Sequence, residues 1–157
     1  MLATWPIELV SGNFRTWFSQ ANVFLQLDDT GLSNCQIVAD VAFLVDSSGS
    51  VGRRNWGKML QFLKDMVTAF NVGPDKTHIA IIAYSNEAVL EFTFDRLKGS
   101  KVTEAGYYSL IDNMRWQKGF TFIDKALILA DEQVFVRGAG MRPELPQVRP
   151  KRFQPFS

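Results

Sequence analysis

The run from Asp40 to Ser50, Asp-Val-Ala-Phe-Leu-Val-Asp-Ser-Ser-Gly-Ser, constrains the fold more than any other stretch of this chain. Val41 to Val45 form an unbroken apolar run between two aspartates. A strand with one wet face alternates apolar and polar side chains. An uninterrupted apolar run of this length instead suits a strand buried on both faces, as in parallel sheets covered by helices. Where the run stops, Asp46, Ser48 and Ser50 offer an oxygen at every second residue. Ligands of open α/β sheets bind just beyond the carboxyl ends of the strands, and hard oxygen donors placed there suit Mg²⁺.

The rest of the chain repeats the alternation of strand and helix. Trp56, Leu60, Leu63, Val67 and Phe70 recur at helical spacing between about Arg54 and Phe70, and Gly73-Pro74-Asp75 ends that helix. His78 to Tyr84 reads as a second strand. Asn86-Glu87 then makes a tight turn into Ala88 to Phe94, so the third strand is antiparallel to the second. A helix follows around Glu104 to Met114. After Gly119-Phe120-Thr121 comes a longer one, with Ile123, Ala126, Leu127, Ala130 and Val134 on one face and Gly138 and Gly140 at its end. The order predicts an α/β fold with a mostly parallel central sheet and one antiparallel edge strand.

On either side of this core the pattern lapses. Residues 1–36 read as a leader or the remnant of a neighbouring module, with a short strand at Val23 to Leu27. Residues 144–157 read as a proline-rich basic tail without regular structure. At 157 residues and 46% hydrophobic content, with 13 Phe and 4 Trp, the chain has the size and side chains of one packed domain, here placed at residues 37–143. A net charge of +1 with mixed signs gives no footprint for nucleic acid. No apolar run approaches the roughly 20 residues of a membrane span, and the N-terminus lacks the pattern of a signal peptide. The single Cys35 excludes an internal disulfide and a cysteine-rich zinc site.

Asp46, Ser48 and Ser50 supply one charge and two neutral hydroxyls, a set that holds a divalent cation while leaving positions open for an incoming carboxylate. The bland alternative is a polar turn that caps a helix. His78, the only histidine, opens a strand and is read as a surface or edge residue. Asp40 is read as opening the first strand, and Asp131 and Glu132 as a solvated helix face. No nucleophile–base or acid–base pair stands out, so an enzyme is not expected.

These motifs together resemble the von Willebrand factor type A domain. The family's Asp-x-Ser-x-Ser metal-ion-dependent adhesion motif falls on Asp46, Ser48 and Ser50, and its loop threonine falls on Thr121, within Lys118-Gly119-Phe120-Thr121. Ala80-Ile81-Ile82-Ala83-Tyr84-Ser85 is similar to its second strand and Glu91-Phe92 to the end of its third. The resemblance runs from about Asp40 to Pro143, with its nearest flavour in matrilins, collagens and related matrix proteins.

It implies a Rossmann-like three-layer sandwich and a non-enzymatic adhesion or matrix-binding module. A metal at Asp46, Ser48, Ser50 and Thr121, Mg²⁺ with Mn²⁺ or Ca²⁺ as alternatives, would engage an Asp or Glu of a protein ligand outside the cell. Two departures stand out. Lys118 occupies a position where the loop often has glycine. The family's further strand, its third metal loop, its last helices and the cysteine that often pairs with one near Cys35 do not appear. The expected consequences are a C-terminally truncated fold and an open sheet edge at Val41 to Val45. The alternative reading is a truncated scaffold without metal-dependent binding, with a place inside the cell left open.

Overall fold

The computed structural model describes residues 2–4 and 38–145. Strand β1 is Leu2–Thr4, β2 Asp40–Asp46, β3 His78–Tyr84 and β4 Ala88–Phe92; the helices are α1 Gly52–Ala69, α2 Glu104–Asp112 and α3 Ile123–Leu129. All seven residues of β2 are buried. Successive side chains of a strand point to opposite faces, so β2 serves two cores. Val41, Phe43 and Val45 pack with Trp56, Leu63 and Val67 of α1 and Tyr107 and Ile111 of α2. Ala42 and Leu44 pack with Ala126 of α3 and with Ala130 and Val134 of the π-helical turn that continues it. Helices thus cover both faces, and the expected three-layer α/β sandwich is what forms. Each large apolar side chain buried in these cores stabilises the fold by about 1.5–3 kcal/mol.

The strand order is β1-β2-β3-β4. β2 and β3 pair in parallel along their whole length, from Asp40 with His78 to Asp46 with Tyr84. β4 runs antiparallel to β3, with a bulge between Ile81 and Ile82. The bulge moves Phe92 to the first core while Leu90 stays against the second. β4 ends at Phe92, short of the expected Phe94, yet Phe94 is fully buried and meets Phe135 edge-on at 5.6 Å. α1 stops at Ala69, and Asn71 in the left-handed region turns the chain away. His78 is half-buried at the start of an interior strand, its Nε2 3.1 Å from the Pro74 carbonyl, so the expectation of an edge position is corrected.

The expectation of an open edge at Val41 to Val45 is also overturned. β1 pairs in parallel with β2, placing Leu2 beside Ala42, Ala3 beside Phe43 and Thr4 beside Leu44. Backbone groups of a strand buried between two cores have no water to turn to, so a second neighbour satisfies what β3 does not. The strand expected at Val23 to Leu27, Cys35 and the tail beyond Leu145 lie outside the described residues.

Asp40 does more than open a strand. It is 1% exposed, and Arg142 clamps it. The Arg142 backbone N–H donates to Oδ2 at 2.7 Å, Nε and Nη2 donate to Oδ1 at 2.9 and 2.6 Å, and Nη2 also reaches the Ala39 carbonyl at 3.1 Å. Two guanidinium N–H groups converge on one carboxylate oxygen while the backbone amide takes the other, a fixed set of charge-assisted bonds that a lysine ammonium does not reproduce. The clamp ties the chain after α3 to the first residue of β2. Removing one partner of a buried pair leaves the other charge uncompensated. Arg142→Ala is therefore expected to cost about 3–5 kcal/mol in urea unfolding, and the double variant Arg142→Met with Asp40→Leu distinctly less.

Candidate functional site

β2 delivers Asp46 to the carboxyl end of the sheet with its side chain nearly enclosed, at 7% exposure. The chain then leaves the sheet through a tight loop. The Ser47 N–H and Oγ–H both donate to the Tyr84 carbonyl, at 2.9 and 3.0 Å, which anchors the loop to β3. The Ser48 N–H donates to Asp46 Oδ1 at 2.7 Å. Ser48 is buried and Ser50 exposed, and their Oγ atoms lie 3.0 Å apart. A short 3-10 turn, Gly49–Val51, leads into α1.

Asp46 Oδ2 has no protein partner among the described residues, although the carboxylate is almost wholly buried. Tyr84, opposite Asp46 in the sheet, has its hydroxyl pKa pushed up to about 12, mainly by burial and secondarily by the Asp46 charge.

A second loop, residues 113–122, lies against the first. Lys118 N–H donates to the Ser47 carbonyl at 2.9 Å, Gly49 N–H donates to the Gly119 carbonyl at 2.8 Å, and Trp116 Nε1 donates to the Ser48 carbonyl at 2.9 Å. Farther along, Phe122 N–H reaches the Ser85 carbonyl at 3.1 Å and Phe120 N–H reaches Asn86 Oδ1 at 2.8 Å. Ser85 Oγ donates to Gln117 Oε1 at 3.0 Å. Asp46, Ser48 and Ser50 are therefore gathered in one turn. Thr121 stands exposed two residues beyond the Gly119 contact, and no described residue bonds its hydroxyl.

The sequence reading missed Trp116 and Asn86. A tryptophan in a polar, aperiodic stretch needs a partner for its N–H, and that was the available signal.

The donors suit a hard divalent cation. Neighbouring ligands of an octahedron with bonds of about 2.1 Å are about 3.0 Å apart, which matches the Ser48–Ser50 hydroxyl spacing. A buried carboxylate oxygen without a partner lies in the same turn. The set contains a single carboxylate, and among the described residues no group of three or more His, Cys, Asp or Glu comes together. Asp46 and Ser48 are buried and Ser50 and Thr121 exposed, so the site meets solvent on the side of the latter two. A cleft of about 310 Å³ lined by Pro74, His78, Leu97, Val102 and Arg142 lies at the opposite, Asp40 end of the sheet. Among the described residues no helix is long and apolar enough to cross a membrane.

The second loop holds two left-handed residues, Lys118 (φ 65°) and Gly119 (φ 93°). A Cβ at Gly119 would fall 2.8 Å from the Asn86 side chain. Gly119→Ala is expected to lose about 1–3 kcal/mol of stability in a denaturant melt. Lys118→Gly relieves about 1–2 kcal/mol of left-handed strain and forfeits about 0.5–1 kcal/mol of cation–π contact with Trp116, 5.3 Å from the ammonium. It should melt at or slightly above the parent.

Comparison with known proteins agrees with this architecture. A family model described as von Willebrand factor type A domain matches residues 40–149. The von Willebrand factor A domain-containing protein 1 of Danio rerio is 34% identical over 122 residues, covering 76% of this chain and 23% of that protein. The collagen alpha-1(XX) chain of Mus musculus is 32% identical over 110 residues, covering 70% of this chain and 8% of that one. Among solved structures, proximal thread matrix protein 1 from the mussel byssus, with a zinc-occupied MIDAS motif, superposes with a TM-score of 0.62 at 29% identity, covering 73% of this chain and 28% of that one. The chain thus spans under a quarter of the length of either curated relative. With the family model covering well over half of its residues and the fold assembled as described, the chain belongs to the von Willebrand factor type A domain family.

Proposed function

We propose that the chain is a non-enzymatic protein-binding module of the extracellular matrix. It holds a divalent cation with Asp46, Ser48, Ser50 and Thr121 and through it engages an Asp or Glu side chain of a protein ligand. The observation that carries this reading is the nearly enclosed Asp46 carboxylate, with Oδ2 unpartnered among the described residues, beside two serine hydroxyls 3.0 Å apart.

When bound, a divalent cation supplies a positively charged position that a ligand carboxylate can complete. Asp46 contributes the negative charge of the cradle, Ser48 and Ser50 contribute neutral oxygens, and Thr121 adds a hydroxyl from the second loop. With one carboxylate in the set, much of the cation's charge is left for the ligand. The all-oxygen donors favour Mg²⁺, with Mn²⁺ or Ca²⁺ as alternatives. Similarity to matrix collagens and to a byssal thread protein supports an extracellular setting and a matrix or cell-surface partner. An open cradle of polar groups on the surface suits a protein ligand better than a small molecule, which calls for an enclosing pocket.

Titration calorimetry with Mg²⁺ and Mn²⁺ tests the metal. Binding is expected for the parent chain and should be lost in Asp46→Ala; equal binding by both would remove the site and leave a scaffold reading. Trp116→Phe keeps an aromatic side chain, smaller than the indole, and deletes the N–H that holds the Ser48 carbonyl. It is expected to weaken Mg²⁺ about tenfold or more, as loss of a group that orients a ligand does, with an unchanged circular dichroism spectrum.

A further inference from the structure

The loop that carries Thr121 also carries an unpacked aromatic ring. Phe120 is 76% exposed, the most exposed of the large hydrophobic side chains among the described residues, and Phe122 and Ile123 are 42% and 39% exposed beside it in the chain. Most loops with so little regular structure are mobile, and an exposed ring on a mobile loop gains little on binding because it must first be ordered. Here the backbone is already fixed. Lys118, Phe120 and Phe122 donate their amides to Ser47, Asn86 and Ser85, and the Gly119 carbonyl accepts from Gly49. Below them Lys125 is fastened to the Asn86 carbonyl and to Glu87 Oε1, both at 2.6 Å, with its ammonium 5.2 Å from the Phe122 ring. The Gly49–Gly119 hydrogen bond sets Phe120 one residue from the turn that contains Ser48 and Ser50. A solvent-exposed aromatic on a rigid support beside a polar cradle is the arrangement of an interaction surface rather than of a stray surface residue.

We propose that Phe120, extended by Phe122 and Ile123, is the specificity-determining contact of this module, selecting protein ligands in which the acidic residue is flanked by aromatic or large aliphatic side chains. The inference rests on the metal-dependent reading above and deepens it. The carboxylate subsite treats every exposed Asp or Glu alike, whereas an apolar rim next to it separates partners by the neighbours of that acid. A ligand with polar flanks leaves Phe120 in water and gains only the carboxylate contact. One with apolar flanks also removes the ring from water.

The test uses blocked peptides with the cores Phe-Glu-Phe, Ser-Glu-Ser and Phe-Gln-Phe, titrated into ¹⁵N-labelled chain in Mg²⁺ and, separately, in EDTA. Flanks are placed on both sides so that no chain direction is assumed. In Mg²⁺ the Phe-Glu-Phe peptide is expected to bind about three- to tenfold tighter than Ser-Glu-Ser, with Phe-Gln-Phe showing no saturable shifts. Phe120→Ser should erase that preference while its Mg²⁺ titration stays unchanged, which also reports that the variant is folded. Glu- and Mg²⁺-dependent binding that is indifferent to the flanks, or a preference that survives Phe120→Ser, would overturn the proposal and leave the metal reading standing. Binding of Phe-Glu-Phe that persists in EDTA or equals that of Phe-Gln-Phe would overturn both.

Discussion

Everything else in the molecule follows from the burial of β2 on both faces. Its seven residues are shared between two apolar cores, so polar chemistry is confined to the two ends, where the chain has an aspartate each. The ends are treated differently. Asp40 receives two guanidinium N–H groups on one oxygen and the amide of Arg142 on the other, and its charge is neutralised where it lies. Asp46 receives one amide and a setting of hydroxyls, with no ion pair to any described lysine or arginine. A buried carboxylate is costly to leave charged without compensation. One strand therefore ends in a structural ion pair at one terminus and, at the other, in a demand for positive charge that no described lysine or arginine meets.

The demand is useful only if the surrounding oxygens do not collapse onto one another or into solvent. Two loops hold each other in place through the Gly49–Gly119, Lys118–Ser47 and Trp116–Ser48 hydrogen bonds. This explains why Lys118 can occupy the left-handed region that a residue with a Cβ ordinarily avoids. The strain is local, and the bonds on either side determine the conformation more strongly than Lys118 itself does. Its ammonium lies over the Trp116 ring, whose N–H holds the Ser48 carbonyl, so a departure from the usual glycine is absorbed into the support of the first loop.

How much of this was legible in the sequence depended on whether the signal was local. The two-faced burial of β2 could be read because five adjacent apolar residues cannot satisfy a half-wet strand. The Asp46-Ser48-Ser50 turn could be read because the oxygens recur within one short stretch. The parallel pairing with β3 and the antiparallel β4 followed from connection lengths. Asp40 with Arg142 could not be read, since the partners stand 102 residues apart and Arg142 looks like one more charge at the end of the domain, just before the basic tail. Nor could β1, whose three residues are too few to carry a period. Asn86 looked like turn punctuation, and only the fold brings its side chain to the Phe120 amide. Whether Thr121 shares a cation with the first loop is likewise a matter of loop placement, which spacing alone does not determine.

The composition of the cradle bears on what kind of recognition it can perform. A site built from several carboxylates neutralises its cation and holds it tightly, and a ligand acid then gains little by arriving. One carboxylate with hydroxyls leaves the balance to the partner, so affinity for the cation and affinity for an acidic ligand are thermodynamically coupled, each raising the other by the same factor. That coupling makes binding conditional but does not make it selective, because acidic side chains are common on protein surfaces. Selectivity has to come from groups that do not touch the cation. In this chain the nearest exposed candidates are the aromatic ring at Phe120 and its apolar neighbours, on a backbone hydrogen-bonded to Asn86 and Ser85. On the proposed reading the two tasks are divided between a buried carboxylate and an exposed ring on adjoining loops.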